Sequence, residues 1–194
     1  MKPKSLKFQR SPKPWRTLGS RKLADAGEIK LYRDRLVSKT GFKASHMRLA
    51  LHDFSVIVPV LSDNRLIFVW NYRHAIQGWE LELPAGLIDE GETPQKGAKR
   101  ELKEETGYSA KSWRSLGYLH TLAGISSQKA HIFLAKGLTK GRLKREPYEH
   151  MAVKILSIRE AYRRLQSGQI IHSPTASALG LAERIILRPG RRPK

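Results

Sequence analysis

Between Gly86 and Tyr108 the chain sets acids at fixed intervals: Glu92, then Glu101, Glu104 and Glu105, with Arg100 beside the first of the trio. On a helix, residues four apart share a face and residues three apart share its edge, so Glu101, Glu104 and Glu105 converge. Like charges at that spacing weaken an isolated helix by about 0.2–0.5 kcal/mol per pair, and a compensating cation is therefore expected. Magnesium takes oxygen ligands, keeps several waters and is commonly held by one or two carboxylates together with substrate phosphates. A metal so placed neutralises phosphate charge, orients the chain for in-line attack and makes hydroxide available near neutral pH. The chemistry indicated is hydrolysis at phosphorus with Mg2+ or Mn2+ and no covalent nucleophile. A bare Glu-x-x-Glu-Glu would read instead as a solvated face with ordinary ion pairs; the longer pattern of glycines, acids and arginine tells against that here.

These residues need a helix and a tight loop. The helix is expected over about Pro94 to Thr106, with Thr93 as its cap, Pro94 in its first turn and Gly107 at a left-handed exit. Arg100 reaches back to the loop, with Glu92 as its partner, in a structural role that supports the catalytic set Arg100, Glu101, Glu104 and Glu105. Gly86 and Gly91 permit tight turns, and Gly97 permits close packing. Upstream, Phe54–Leu61 and Arg65–Trp70 flank a turn at Ser62-Asp63-Asn64 and read as two paired central strands. Further strands are expected at Trp113–His120, His131–Ala135 and His150–Leu156, and helices at Ile158–Gln166 and Pro174–Leu187. The fold class is α/β, with mixed α/β/α layering. The expected organisation is a basic arm over 1–14, a small antiparallel β subdomain over 15–51, the main domain over 52–188 and a basic tail over 189–194.

With 194 residues, the chain has room for one domain and a small appendage. It contains no cysteine, which excludes disulfides, thiolate metal sites and a cysteine nucleophile. No run approaches the ~20 apolar residues that span a bilayer, and the basic start lacks the apolar middle of a secretory signal. A cytoplasmic protein without a membrane partner is expected. An acid-free start would also suit an organelle transit peptide, but its three prolines do not suit the amphipathic helix of one. The net charge of +20 points to polyanionic company. Much of the excess lies near the ends, where it raises nonspecific affinity, for nucleic acid among others, without defining a site.

Gly86, Glu92, Arg100, Glu101, Leu102, Glu104, Glu105 and Gly107 match the Nudix box, Gly-x5-Glu-x7-Arg-Glu-U-x-Glu-Glu-x-Gly-U, where U is bulky and apolar; Tyr108 departs by being aromatic. Asn71-Tyr72-Arg73-His74, Glu82-Leu83-Pro84-Ala85-Gly86 and Gly168-Gln169-Ile170, the last ahead of Thr175 and Ala176, resemble the branch of that family that cleaves ADP-ribose and nucleotide sugars. The resemblance implies a Nudix α/β/α sandwich with a mixed β-sheet and a small N-terminal antiparallel β subdomain that supports a homodimer. It implies Glu101, Glu105, Glu104 and the Ala85 carbonyl as metal ligands, Arg73 facing the substrate phosphates, and Trp15 stacking on the base or else anchoring the first strand. Gly86, Glu92 and Gly107 take structural places in the motif. One departure matters: Gln128 stands where relatives often have a glutamate that serves as base, and it cannot accept a proton in that role. Glu104, Glu146 and Glu149 are the remaining candidates.

The function so implied is hydrolysis of a nucleoside diphosphate linked to a further group, to nucleoside monophosphate and sugar phosphate, by positioning and electrostatics. A Nudix enzyme acting on RNA caps or oxidised nucleotides, or a noncatalytic module that binds nucleotide or RNA, are the alternatives. RNA binding predicts steep salt dependence. His74, His120, His131 and His150 show no ligand spacing and receive no role.

Overall fold

The computed structural model describes residues 13–142 and 151–187. Its contacts divide them into two compact units, the residues up to His52 with His120–Gln128, and Asp53–Leu119 with the residues from Lys129 onward.

In the first unit, β1 (Trp15–Asp25), β2 (Lys30–Ser38) and β3 (Lys43–Ala50) form an antiparallel sheet in that order. Gly41 makes the β2–β3 turn at φ +85°, which a side chain would resist. Buried Asp34 holds the sheet from within by accepting from Arg48 Nε at 2.8 Å and from the Ser20 hydroxyl. The segment 120–128 joins this unit through a hydrogen bond from the Leu49 N–H to the Ile125 carbonyl, 2.8 Å.

In the second unit a mixed sheet is built from β4 (Phe54–Val60), β5 (Arg65–Arg73), β6 (Gly78–Glu82), β7 (Ala85–Leu87), β8 (Tyr108–His120), β9 (Lys129–Lys140) and β10 (Met151–Ser157), its main path running β10-β5-β4-β9-β8. Alternation along the strands decides what covers each face. Val56, Val58, Leu66, Phe68, Ile132 and Leu134 pack with α2 (Ile158–Gln166) and α3 (Ser173–Leu187). Ile57, Ile67, Phe133 and Ala135 pack on the other side with Ala98 and Leu102 of α1 (Pro94–Thr106). The result is an α/β/α sandwich, as expected. No helix among the described residues is long and apolar enough to cross a membrane.

Strands β4 and β5 are antiparallel neighbours at the centre of the sheet, as expected, but their pairing is short. They meet only at Val60 and Leu66, beside the turn, while β4 runs parallel to β9 along its whole length. Away from the turn the two strands separate, and the gap is lined by β6 paired to β5 and β7 paired to β4. Pro84, lacking an N–H, stands between β6 and β7 and breaks the ladder there. This opening carries the Glu82–Gly86 loop into the middle of the sheet. Other differences are of extent: β8 begins directly at Tyr108, and β9 continues to Lys140.

Candidate active site

The Glu82–Gly86 loop is tied down along its length. Glu82, 1% exposed, accepts two hydrogen bonds from Arg73, Nε at 2.7 Å and Nη2 at 2.6 Å. This planar, bidentate contact holds Arg73 above its ordinary pKa. The Leu83 N–H donates to Thr175 Oγ1 at 2.8 Å, the Ile57 N–H to the Pro84 carbonyl at 2.9 Å, and the Ala85 N–H to Glu105 Oε2 at 3.0 Å. Gly86 leaves the space that the Glu101 carboxylate occupies: a Cβ there would lie 2.1 Å from Cδ of Glu101.

Helix α1 forms as its ends dictate. Thr93 Oγ1 accepts the Lys96 N–H, Pro94 opens the first turn, and Gly107 at φ +76° donates its N–H to the Lys103 carbonyl. With Ala98 and Leu102 buried in the core, the neighbouring edge of the helix presents the acids to the loop. Glu105 is 4% exposed, whereas the Glu104 side chain keeps 46% of its surface.

Arg100 does more than hold Glu92. Its Nη2 donates to the Leu87 carbonyl at 2.8 Å and to Glu92 Oε2 at 3.1 Å, and its Nη1 donates to Glu101 at 2.6 Å and Glu104 at 3.1 Å. Burial works against its charge, but Glu92, Glu101 and Glu104 outweigh that and push Arg100 above its usual range. The same contact holds the Glu92 carboxyl below the usual glutamate value. Glu92 also accepts the Asp89 N–H at 3.2 Å, so it joins loop to helix. The guanidinium is thus shared between Glu101 and Glu104, and these two do not form a tight trio of donor atoms with Glu105.

Such a trio exists elsewhere among the described residues: donor atoms of Glu80, Glu82 and His172 lie within 4.8 Å of one another. The Glu82 charge is already answered by Arg73, and His172 Nδ1 lies 2.9 Å from Thr175 Oγ1. Burial pushes the His172 imidazole below its ordinary pKa, with Glu82 and Glu80 pulling upward and Arg73 downward. The unfolded chain therefore takes up this proton first. Stability should fall as pH drops below about 6.5 and through the lower folded value. His172→Asn should flatten that part of the curve. Thermal unfolding between about pH 7.5 and about pH 5 tests this; equal slopes for both proteins would mean that His172 is readily protonated in the fold.

Neither His172 nor Glu82 was given a role by sequence reasoning, although both lie within or beside the quoted family-like segments. His131 has a partner that spacing did not reveal, since its Nε2 is 3.1 Å from Asp53 Oδ2. Gln128 works as a strut: its Nε2 donates to the His52 carbonyl at 2.6 Å. Trp15 opens β1, exposed, with its ring 6.3 Å from that of Phe42. Glu146, Glu149 and His150 lie outside the described residues.

The donor set beside Gly86 consists of oxygens alone, with one carboxylate buried against a backbone N–H and a second fitted over a residue without a side chain. This suits a hard divalent cation. Comparison with known proteins gives the family. The NUDIX domain model matches residues 51–176. The ADP-ribose pyrophosphatase of Bacillus subtilis (strain 168) is 30% identical over 167 residues, covering 84% of this chain and 90% of that protein. The ADP-ribose pyrophosphatase of Mycobacterium tuberculosis (strain ATCC 25618 / H37Rv) is 39% identical over 126 residues, 63% of this chain and 61% of that one. A crystal structure of an ADP compounds hydrolase superposes with a TM-score of 0.82 over 94% of this chain and all of the other, at 24% identity, and so shares the fold. The box of acids, the loop it faces and the extent of these matches lead to one assignment: the chain belongs to the Nudix hydrolase family.

Proposed function

We propose that the protein hydrolyses the pyrophosphate of an ADP-ribose-type compound, with Mg2+ or Mn2+ held by Glu101, Glu105 and the Ala85 carbonyl. The observation that carries the reading is the seating of the α1 carboxylates against the Ala85–Gly86 backbone, beside the charged Arg73. The names of the Bacillus and Mycobacterium relatives support the substrate class. The bound cation would supply charge neutralisation at the phosphates and an acidified water. Water adds to one phosphorus as the bond to the bridging oxygen breaks, and the products are nucleoside monophosphate and sugar phosphate. Arg73 Nη1, which is not used on Glu82, is available to a phosphate oxygen. Glu104, the most exposed acid of the trio, is the base we favour among the described residues. The first unit's sheet exposes Trp15, Leu18, Leu23, Phe42 and Met47, which supports its use as the surface of a homodimer.

Incubation with ADP-ribose and either metal should release AMP and ribose 5-phosphate. Nucleotide sugars, nucleoside triphosphates and capped RNA serve as comparison substrates. The net charge of +20 favours one competing reading, RNA as the true ligand. Turnover of capped RNA alone, with binding that weakens steeply as salt rises, would replace the small-molecule reading with that one.

A further inference from the structure

Besides the pairing of its ends to β5 and β4, the Glu82–Gly86 segment has four anchors, and three of them are Arg73 on the Glu82 side chain, the Ile57 N–H on the Pro84 carbonyl and Glu105 on the Ala85 N–H. The fourth comes from the start of α3 and has no place in the chemistry above. Thr175 is fully buried, and its hydroxyl accepts the Leu83 N–H at 2.8 Å across 92 residues of sequence. The same oxygen lies 2.9 Å from His172 Nδ1. A hydroxyl has one proton and two lone pairs. With one lone pair taken by Leu83, the hydroxyl keeps a proton and a second lone pair, so it pairs with Nδ1 in either tautomer, and the ring holds the Thr175 side chain where it meets the loop.

We infer that Thr175 and His172 are positioning residues for the metal: by fixing the Leu83 amide they set the Pro84–Ala85 backbone against α1, and with it the donor geometry of Ala85 and Glu105. This rests on the cation site proposed above. Helix capping does not account for the contact, because the Thr175 hydroxyl reaches a strand-end amide outside its own helix. Residues that orient metal ligands typically change metal affinity 10–100-fold when removed.

The test is Mn2+ binding to the full chain, followed by electron paramagnetic resonance and set beside activity. Thr175→Val should weaken Mn2+ binding about tenfold and raise the Mn2+ needed for half-maximal turnover by the same factor, with KM for substrate little changed. Thr175→Ser should restore both. His172→Ala keeps the hydroxyl, and should weaken Mn2+ binding about threefold, which preserves the test if the valine variant does not fold. Ala178→Gly, in the buried face of the same helix, should lower Tm and leave Mn2+ binding unchanged. Wild-type Mn2+ affinity in Thr175→Val, an equal loss in Ala178→Gly, or a wild type that binds no Mn2+ would each overturn the inference. The predicted binding pattern without any pyrophosphate hydrolysis would uphold the positioning role and reject the proposed activity.

Discussion

Replacing Glu105 by Gln should lower kcat/KM by at least about a thousandfold, equivalent to roughly 4 kcal/mol of transition-state stabilisation, while leaving the fold intact. The two effects separate because of what Glu105 touches. Its Oε2 accepts the Ala85 N–H, a bond that a glutamine carbonyl oxygen can also accept, so the loop stays in place. What disappears is a negative charge on a nearly buried carboxylate, the one proposed to hold the metal. In that environment little solvent is at hand to take over the work of the charge. Removing it also relieves repulsion with Glu101 four residues away, so Tm should hold or rise. AMP release and thermal unfolding, measured on the same preparation, check both halves. Activity within tenfold of wild type would remove Glu105 from the metal site.

Gly86→Ala should cost about a hundredfold in turnover, also without unfolding the protein. The added Cβ would stand 2.1 Å from Cδ, 2.2 Å from Oε1 and 2.4 Å from Oε2 of Glu101, distances no pair of nonbonded atoms sustains. Something must move, and the Glu101 carboxylate, at the end of a flexible side chain, yields more readily than strand β7. Gly86 is not among the positive-φ glycines, so alanine does not strain the backbone. The whole cost then falls on the Glu101 carboxylate, and a displacement of about 1 Å in a reacting site is worth about a hundredfold in rate. Steady-state kinetics with a circular dichroism melt would show it. An alanine variant of normal activity would mean that Glu101 does not act from its place over Gly86, whereas an unfolded one would mean that β7 gave way first.

Helix α1 was legible because its determinants are local: a threonine cap, a proline in the first turn and a glycine exit lie within 15 residues of one another. The acids on its edge followed from helical spacing, and Arg100–Glu92 followed from a short loop. What escaped depends on segments distant in sequence. A run of β-branched residues and a good turn make β4 and β5 read as paired central strands, and they pair only beside that turn. Their separation is decided by Pro84 and by the pairing of β4 with β9, some 75 residues later. Nothing local to Thr175 announces that its hydroxyl meets Leu83, and an isolated histidine such as His172 acquires meaning only from what surrounds it. Arg100 was read through its partner in the loop. Its hold on the helix acids required knowing that the guanidinium lies between them.

That guanidinium has a consequence for how the protein lives with its metal supply. With Nη1 shared by Glu101 and Glu104, the site carries its own internal counter-ion, and its acids do not wait for a divalent ion to become tolerable neighbours. Folding would then not depend on metal loading, in contrast to small domains that collapse only around their ion. On the proposed reading the ion would be an exchangeable co-reactant, entering with a polyphosphate that brings ligands of its own, at a scaffold that Arg100 already holds together.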